Sequence, residues 1–210
     1  AAIALLNAVL LLRDHARIAA YGDRGAADVP AAIPERSPAE GRAPLDPVTS
    51  AAVLFAILLL AFCDASVWAF VVPIGEGTGI APANIGNYLV ASAVIGCLGP
   101  LAAARLGSRA GFWAPLALGQ LVMIASTLLL VRAGTPIVYM MLLYLRVFTI
   151  LFLSPLYQGL CARIDPMGRL VAASAGFWKV GYATGPLAGG VLIAAGADGV
   201  LLLGFGSVAA

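Results

Sequence analysis

Residues 113–131, WAPLALGQLVMIASTLLLV, run for a full helical span without one charged side chain. About 20 mainly apolar residues are needed to cross some 30 Å of hydrocarbon. Comparable stretches at 50–74, 85–104, 137–162 and 170–196 carry one charge at most. A chain built this way has no polar face with which to fold in water. Composition agrees, with 62% hydrophobic and 10% charged residues and a mean hydropathy of +1.01. Continuous apolarity at helical length, rather than ten-residue alternation, predicts helices and not a barrel. The expected fold class is an all-α membrane protein, a polytopic helical bundle.

Outside the five full spans lie three other segments. Residues 1–12 are apolar but only half a span long, and they read as the end of a transmembrane helix cut by the start of the chain. Residues 13–49 mix charges with Pro30, Pro34, Pro38, Pro44 and Pro47, which predicts a largely disordered linker. Residues 199–210 read as the start of a further helix, so 50–210 forms the predicted helical bundle with a truncated last member.

Basic residues mark the cytoplasmic side. The linker holds Arg13, Arg17, Arg24, Arg36 and Arg42, loop 105–112 holds Arg105 and Arg109, and loop 163–169 holds Arg163 and Arg169. The alternate loops hold only Arg132, with Glu76 and Asp198. Linker, 105–112 and 163–169 are therefore expected to be cytoplasmic, in a multi-pass protein of the cell inner membrane.

A net charge of +2, without a basic cluster interleaved with aromatics, gives no basis for nucleic-acid binding. Cys63, Cys97 and Cys161 have neither C-x-x-C spacing nor a disulfide pattern, and the single His15 lies in the linker. No metal site, cofactor or enzymatic activity is expected, although a Ser–Lys pair stays open as intramembrane chemistry.

Three ionisable residues fall inside spans: Asp64, Arg146 and Lys179. Each costs at least about 2.5–3.5 kcal/mol at a helix centre unless it faces protein or water. They either line a pathway for solute or coupling ion, or pair with one another to lock helices together, with Lys179 able to snorkel. Trp68, Thr149 and Tyr182 follow the three charges by three or four residues and share their helical faces, either as solute contacts or as packing. Two cations against one carboxylate point to an anionic or strongly polar solute, with Asp64 as a counter-ion or as the carrier of a coupling proton.

Gly181, Gly185 and Gly189 recur every four residues, with Pro186 and Gly190 beside them. Such a stripe lets a neighbouring helix approach closely, and Pro186 can kink the span. Gly96, Gly99 and Pro100 read the same way.

The stretch GPLAAARLGSRAGFWAPL at 99–116 resembles the loop motif Gly-x-x-x-Asp-Arg-x-Gly-Arg of the major facilitator superfamily. Arg109 and Gly111 match it, while Ser108 and Phe112 depart from it. ARIDPMGRLVAAS at 162–174 and GYATGPLAGG at 181–190 are similar to the loop between helices ten and eleven, and to helix eleven, of many bacterial members. The resemblance covers nearly the whole chain as a C-terminal half: the end of helix six, the linker, helices seven to eleven and the start of helix twelve. It implies a secondary active transporter of a small solute by alternating access, partnered by an N-terminal half and not competent alone. It also implies a cavity lined by helices seven, eight, ten and eleven, and the three charges fall on seven, ten and eleven. A non-transporting membrane scaffold or receptor subunit, with structural charge pairs, is the competing expectation.

Overall fold

A computed structural model describes residues 46–109 and 112–194. The expected half-helix at 1–12, nearly all of the linker, Gly111 and the helix start at 199–210 lie outside the described residues. Those described are helical, with no strand among them. Four helices are long and apolar enough to cross a membrane: Pro47–Trp68, Pro82–Leu106, Trp113–Leu130 and Pro136–Ile164. This is a multi-pass membrane chain.

Helix α1, Pro47–Trp68, starts three residues before the expected boundary. The Asp46 side chain accepts from the backbone N–H groups of Val48 and Thr49, and Pro47 sits in the first turn, where its missing N–H costs nothing. The expected span 50–74 is not continuous, because α1 ends at Trp68 and a short helix, α2, runs over Val71–Gly77. Pro73 accounts for the break: its ring opposes the carbonyl four residues back, that of Ala69. Gly79, at φ +86°, turns the chain away after α2 in a conformation that suits glycine.

The second span is divided for the same reason. Helix α3, Pro82–Gly96, and helix α4, Leu98–Arg109, meet at Cys97, and Pro100 opposes the carbonyl of Gly96. Helix α5 covers Trp113–Val131, the range read from hydropathy. Helix α6, Pro136–Ile164, is capped by Thr135 and carries Pro155 inside it. Helix α7, Arg169–Ala194, absorbs Pro186 without ending. It matches the others in length but is not among the four apolar spans, since its glycines, hydroxyls and Lys179 dilute it.

Helix α6 is the hub, with α3, α4 and α5 packed around it, while α1 and α7 form a separate close pair. Glycines set both approaches. A Cβ on Gly99 would lie 2.6 Å from the Phe148 carbonyl oxygen, so α4 crosses α6 backbone to backbone. Two apolar clusters fill the interior. One includes Ile57, Leu60, Ile150 and Leu153, and the other Val67, Val71, Leu143 and Val147. The outer surface is equally apolar, with Val90, Leu187 and Val191 each about two-thirds exposed, as a lipid-facing surface requires.

Candidate functional site

The site is assembled by the α1–α7 contact. A Cβ on Gly181 would lie 2.6 Å from the Leu58 carbonyl oxygen, and one on Gly185 2.6 Å from that of Phe62. Ala61 and Ala65 are the matching small residues on α1. Ser66 Oγ adds an interhelical hydrogen bond to the Gly185 carbonyl at 3.1 Å. Gly189 differs from the other two, since its space is taken by the Phe70 ring from the α1–α2 break.

This close approach carries Tyr182 alongside Asp64. The Tyr182 hydroxyl donates to Asp64 Oδ2, and the Trp178 ring stacks on Tyr182 with centroids 5.7 Å apart. From α6, Arg146 Nη2 stands 2.6 Å from Asp64 Oδ1 and donates to the Asp64 carbonyl oxygen at 3.1 Å. Three helices thus meet in one polar cluster.

Arg146 is 1% exposed and Asp64 3%, so the ion pair is removed from solvent, whereas Tyr182 is 37% exposed and forms its accessible edge. The pair lies where the two apolar clusters adjoin, between Leu60 and Val67 on α1 and between Leu143 and Ile150 on α6. Two of its polar atoms are left incomplete. Asp64 Oδ1 has the charge contact but no aligned hydrogen bond, and Arg146 Nε has no hydrogen-bond partner.

The remaining expected residues are placed differently. Lys179 is exposed and joins no ion pair among the described residues, so the partner of Asp64 is Arg146. Thr149 is buried, but its hydroxyl donates to the Leu145 carbonyl of its own helix at 2.7 Å. Trp68, 43% exposed, lies at the end of α1, and Pro186 lies within α7. Ser108 and Arg109 close α4. No group of three or more His, Cys, Asp or Glu suited to a metal ion occurs among the described residues.

Sequence reasoning passed over several buried polar contacts. Tyr139 Oη donates to the Val71 carbonyl at 2.8 Å, fastening α2 to α6. Gln120 Nε2 donates to the Tyr157 hydroxyl between α5 and α6, and Ser174 bonds Gln158 at 3.2 Å between α7 and α6. The largest omission is Asp165 at the α6–α7 turn. Its carboxylate accepts from the Met167 and Leu170 backbone N–H groups and pairs with Arg169 at 3.2 Å. Gly168, at φ +78°, closes the turn. An acid four residues before an arginine at a helix start was the available signal.

Burial pushes the Asp165 carboxyl up, but the Arg169 and backbone hydrogen bonds outweigh it and hold the group below its usual value. A carboxyl depressed in the folded state stabilises fully above the unfolded value and loses that stabilisation as pH falls through the folded one. Arg169 is half exposed, so solvent screening keeps its share small. Asp165→Asn is expected to cost about 1 kcal/mol at pH 7. In thermal unfolding of the detergent-solubilised protein, the gap from wild type should close as pH falls below about 4. An equal gap at pH 7 and in acid would contradict this.

No protein-family model, curated protein or solved structure matches the chain.

Proposed function

We propose that this chain forms part of a secondary active transporter that moves a small solute by alternating access, and that it corresponds to the C-terminal half of a major facilitator superfamily protein. The observation that carries the reading is the buried Asp64–Arg146 pair with Tyr182, placed where the α1–α7 pair meets α6. Stability is a weak reason to keep such a pair, since a buried ion pair replaced by well-packed apolar residues is often neutral or stabilising. Intramembrane charges are instead typical of solute and ion pathways. A seam between two packed groups is a natural surface for rocking, and a pair across it can hold one state and release another. That α5 packs chiefly on α6, away from the cluster, accords with the outer position the resemblance gives helix nine.

The scaffold reading draws on one observation: Asp64 and Arg146 already satisfy each other's charge. Transport separates the two. Proteoliposomes containing the full-length protein should accumulate at least one member of a panel of small organic anions, sugars and amines when a pH gradient is imposed. A protein that moves none of them in either direction contradicts the transport reading and favours the scaffold.

A further inference from the structure

Arg146 uses only part of its guanidinium. Its planar fork carries five N–H donors, and carboxylates bind it best through two parallel hydrogen bonds. Asp64 engages Nη2 alone, through Oδ1 at 2.6 Å and the backbone carbonyl at 3.1 Å. The second carboxylate oxygen of Asp64 is held by Tyr182, so it cannot turn to complete the fork. Nε–H meanwhile sits in a side chain 1% exposed and has no acceptor. Leaving a buried donor unsatisfied is costly, and more so when the group is charged. Such a donor is suited to a further acceptor.

We propose that the free Nε edge of Arg146 is the docking point for a carboxylate ligand, which takes Arg146 from Asp64 while Asp64 takes up a proton. The inference rests on the transport reading and specifies its solute. Charge balance supplies the second half of the proposal. Asp64 and Arg146 together are neutral, so an added anion would leave a net charge in a low-dielectric interior. One proton bound by Asp64 cancels it: R–COO⁻ replaces the Asp64 carboxylate at Arg146, and a proton from the water on that side bonds to the freed Asp64 oxygen. One carboxylate and one proton enter together, with no change in total charge.

The groups facing Asp64 suit this exchange. Arg146 faces it from α6 and Tyr182 from α7, while Cys63 precedes it on α1. Tyr182, the exposed edge of the cluster, gives a route in, and its hydroxyl can hold either form of the carboxyl. Lys179, one helical turn away on α7, exposed and in no ion pair among the described residues, adds positive potential to that approach.

The test measures binding, separately from transport. Full-length protein in lipid nanodiscs is titrated with radiolabelled propionate in unbuffered medium containing a pH indicator. Saturable binding with uptake of about one proton per propionate is expected from the charge balance. Propionamide, the uncharged analogue, should not compete. Arg146→Lys keeps the charge but loses the fork, and should weaken binding about tenfold or more. Asp64→Asn removes the competing carboxylate and its proton, and should bind propionate about tenfold more tightly with no proton uptake. If either variant fails to fold, the proton stoichiometry of the wild-type protein and the propionamide competition still decide.

Absence of saturable binding, as when a water molecule alone fills the Nε position, overturns the proposal. So does propionamide competing equally, or an asparagine variant with wild-type affinity and proton uptake. Propionate binding of the expected kind in a protein that transports nothing sinks the transport reading and keeps the site. Transport of another solute without propionate binding does the reverse.

Discussion

Arg146→Met in the full-length protein is expected to lose about 3–5 kcal/mol of stability, because it leaves the Asp64 carboxylate buried without its cation. Asp64 is 3% exposed and sits between the two apolar clusters, so water cannot replace the guanidinium cheaply. The lost positive charge also orphans the Asp64 carbonyl contact at 3.1 Å. Combining Arg146→Met with Asp64→Asn removes both charges and keeps an acceptor for the Tyr182 hydroxyl. The double variant should recover to within about 1 kcal/mol of wild type. Thermal unfolding in detergent and the yield of membrane-inserted protein read both values. Single and double variants equally unstable would mean that Arg146 supports the fold by its volume rather than its charge.

Gly185→Ala should have the second largest effect. The added Cβ would lie 2.6 Å from the Phe62 carbonyl oxygen and 3.0 Å from the Ser66 nitrogen, both backbone atoms that no rotamer change can move. Helices α1 and α7 would have to separate, drawing Tyr182 from Asp64 and lengthening the Ser66–Gly185 hydrogen bond. Overpacking of this kind costs about 1–3 kcal/mol, and the backbone contact places it toward the upper end. Gly190→Ala is the matched control, since nothing lies within 4 Å of its Cβ position. Alanine there should be neutral or stabilising by about 0.5–1 kcal/mol through helix propensity. Similar melting temperatures for the two variants would show that the glycine stripe does not set the helix spacing.

How much of this was legible in the sequence differs from residue to residue. Length and apolarity showed the spans, and α5 matches its reading end to end. The breaks at 69–70 and at Cys97 were written in Pro73 and Pro100, but a hydropathy window averages over a proline and draws one span through it. Asp64, Arg146 and Lys179 stood out because ionisable residues in hydrocarbon are rare. Which cation meets the carboxylate depends on the rotation of three helices, and a spacing rule within one helix does not contain it. Tyr182 was read as a neighbour of Lys179 at i+3, whereas its hydroxyl reaches across to α1. Asp165 went unread because a lone acid in a short loop looks solvated until the turn folds its own N–H groups around it.

On the transport proposal, the Asp64–Arg146 pair serves solute movement and not only the assembly of α1, α6 and α7. The decisive measurement is uptake into proteoliposomes by the folded Asp64→Asn, Arg146→Met double variant, using whichever solute the wild-type protein accumulates under a pH gradient. Near-wild-type thermal stability with uptake at background is the expected result. Uptake at the wild-type rate from that charge-free pair would contradict it.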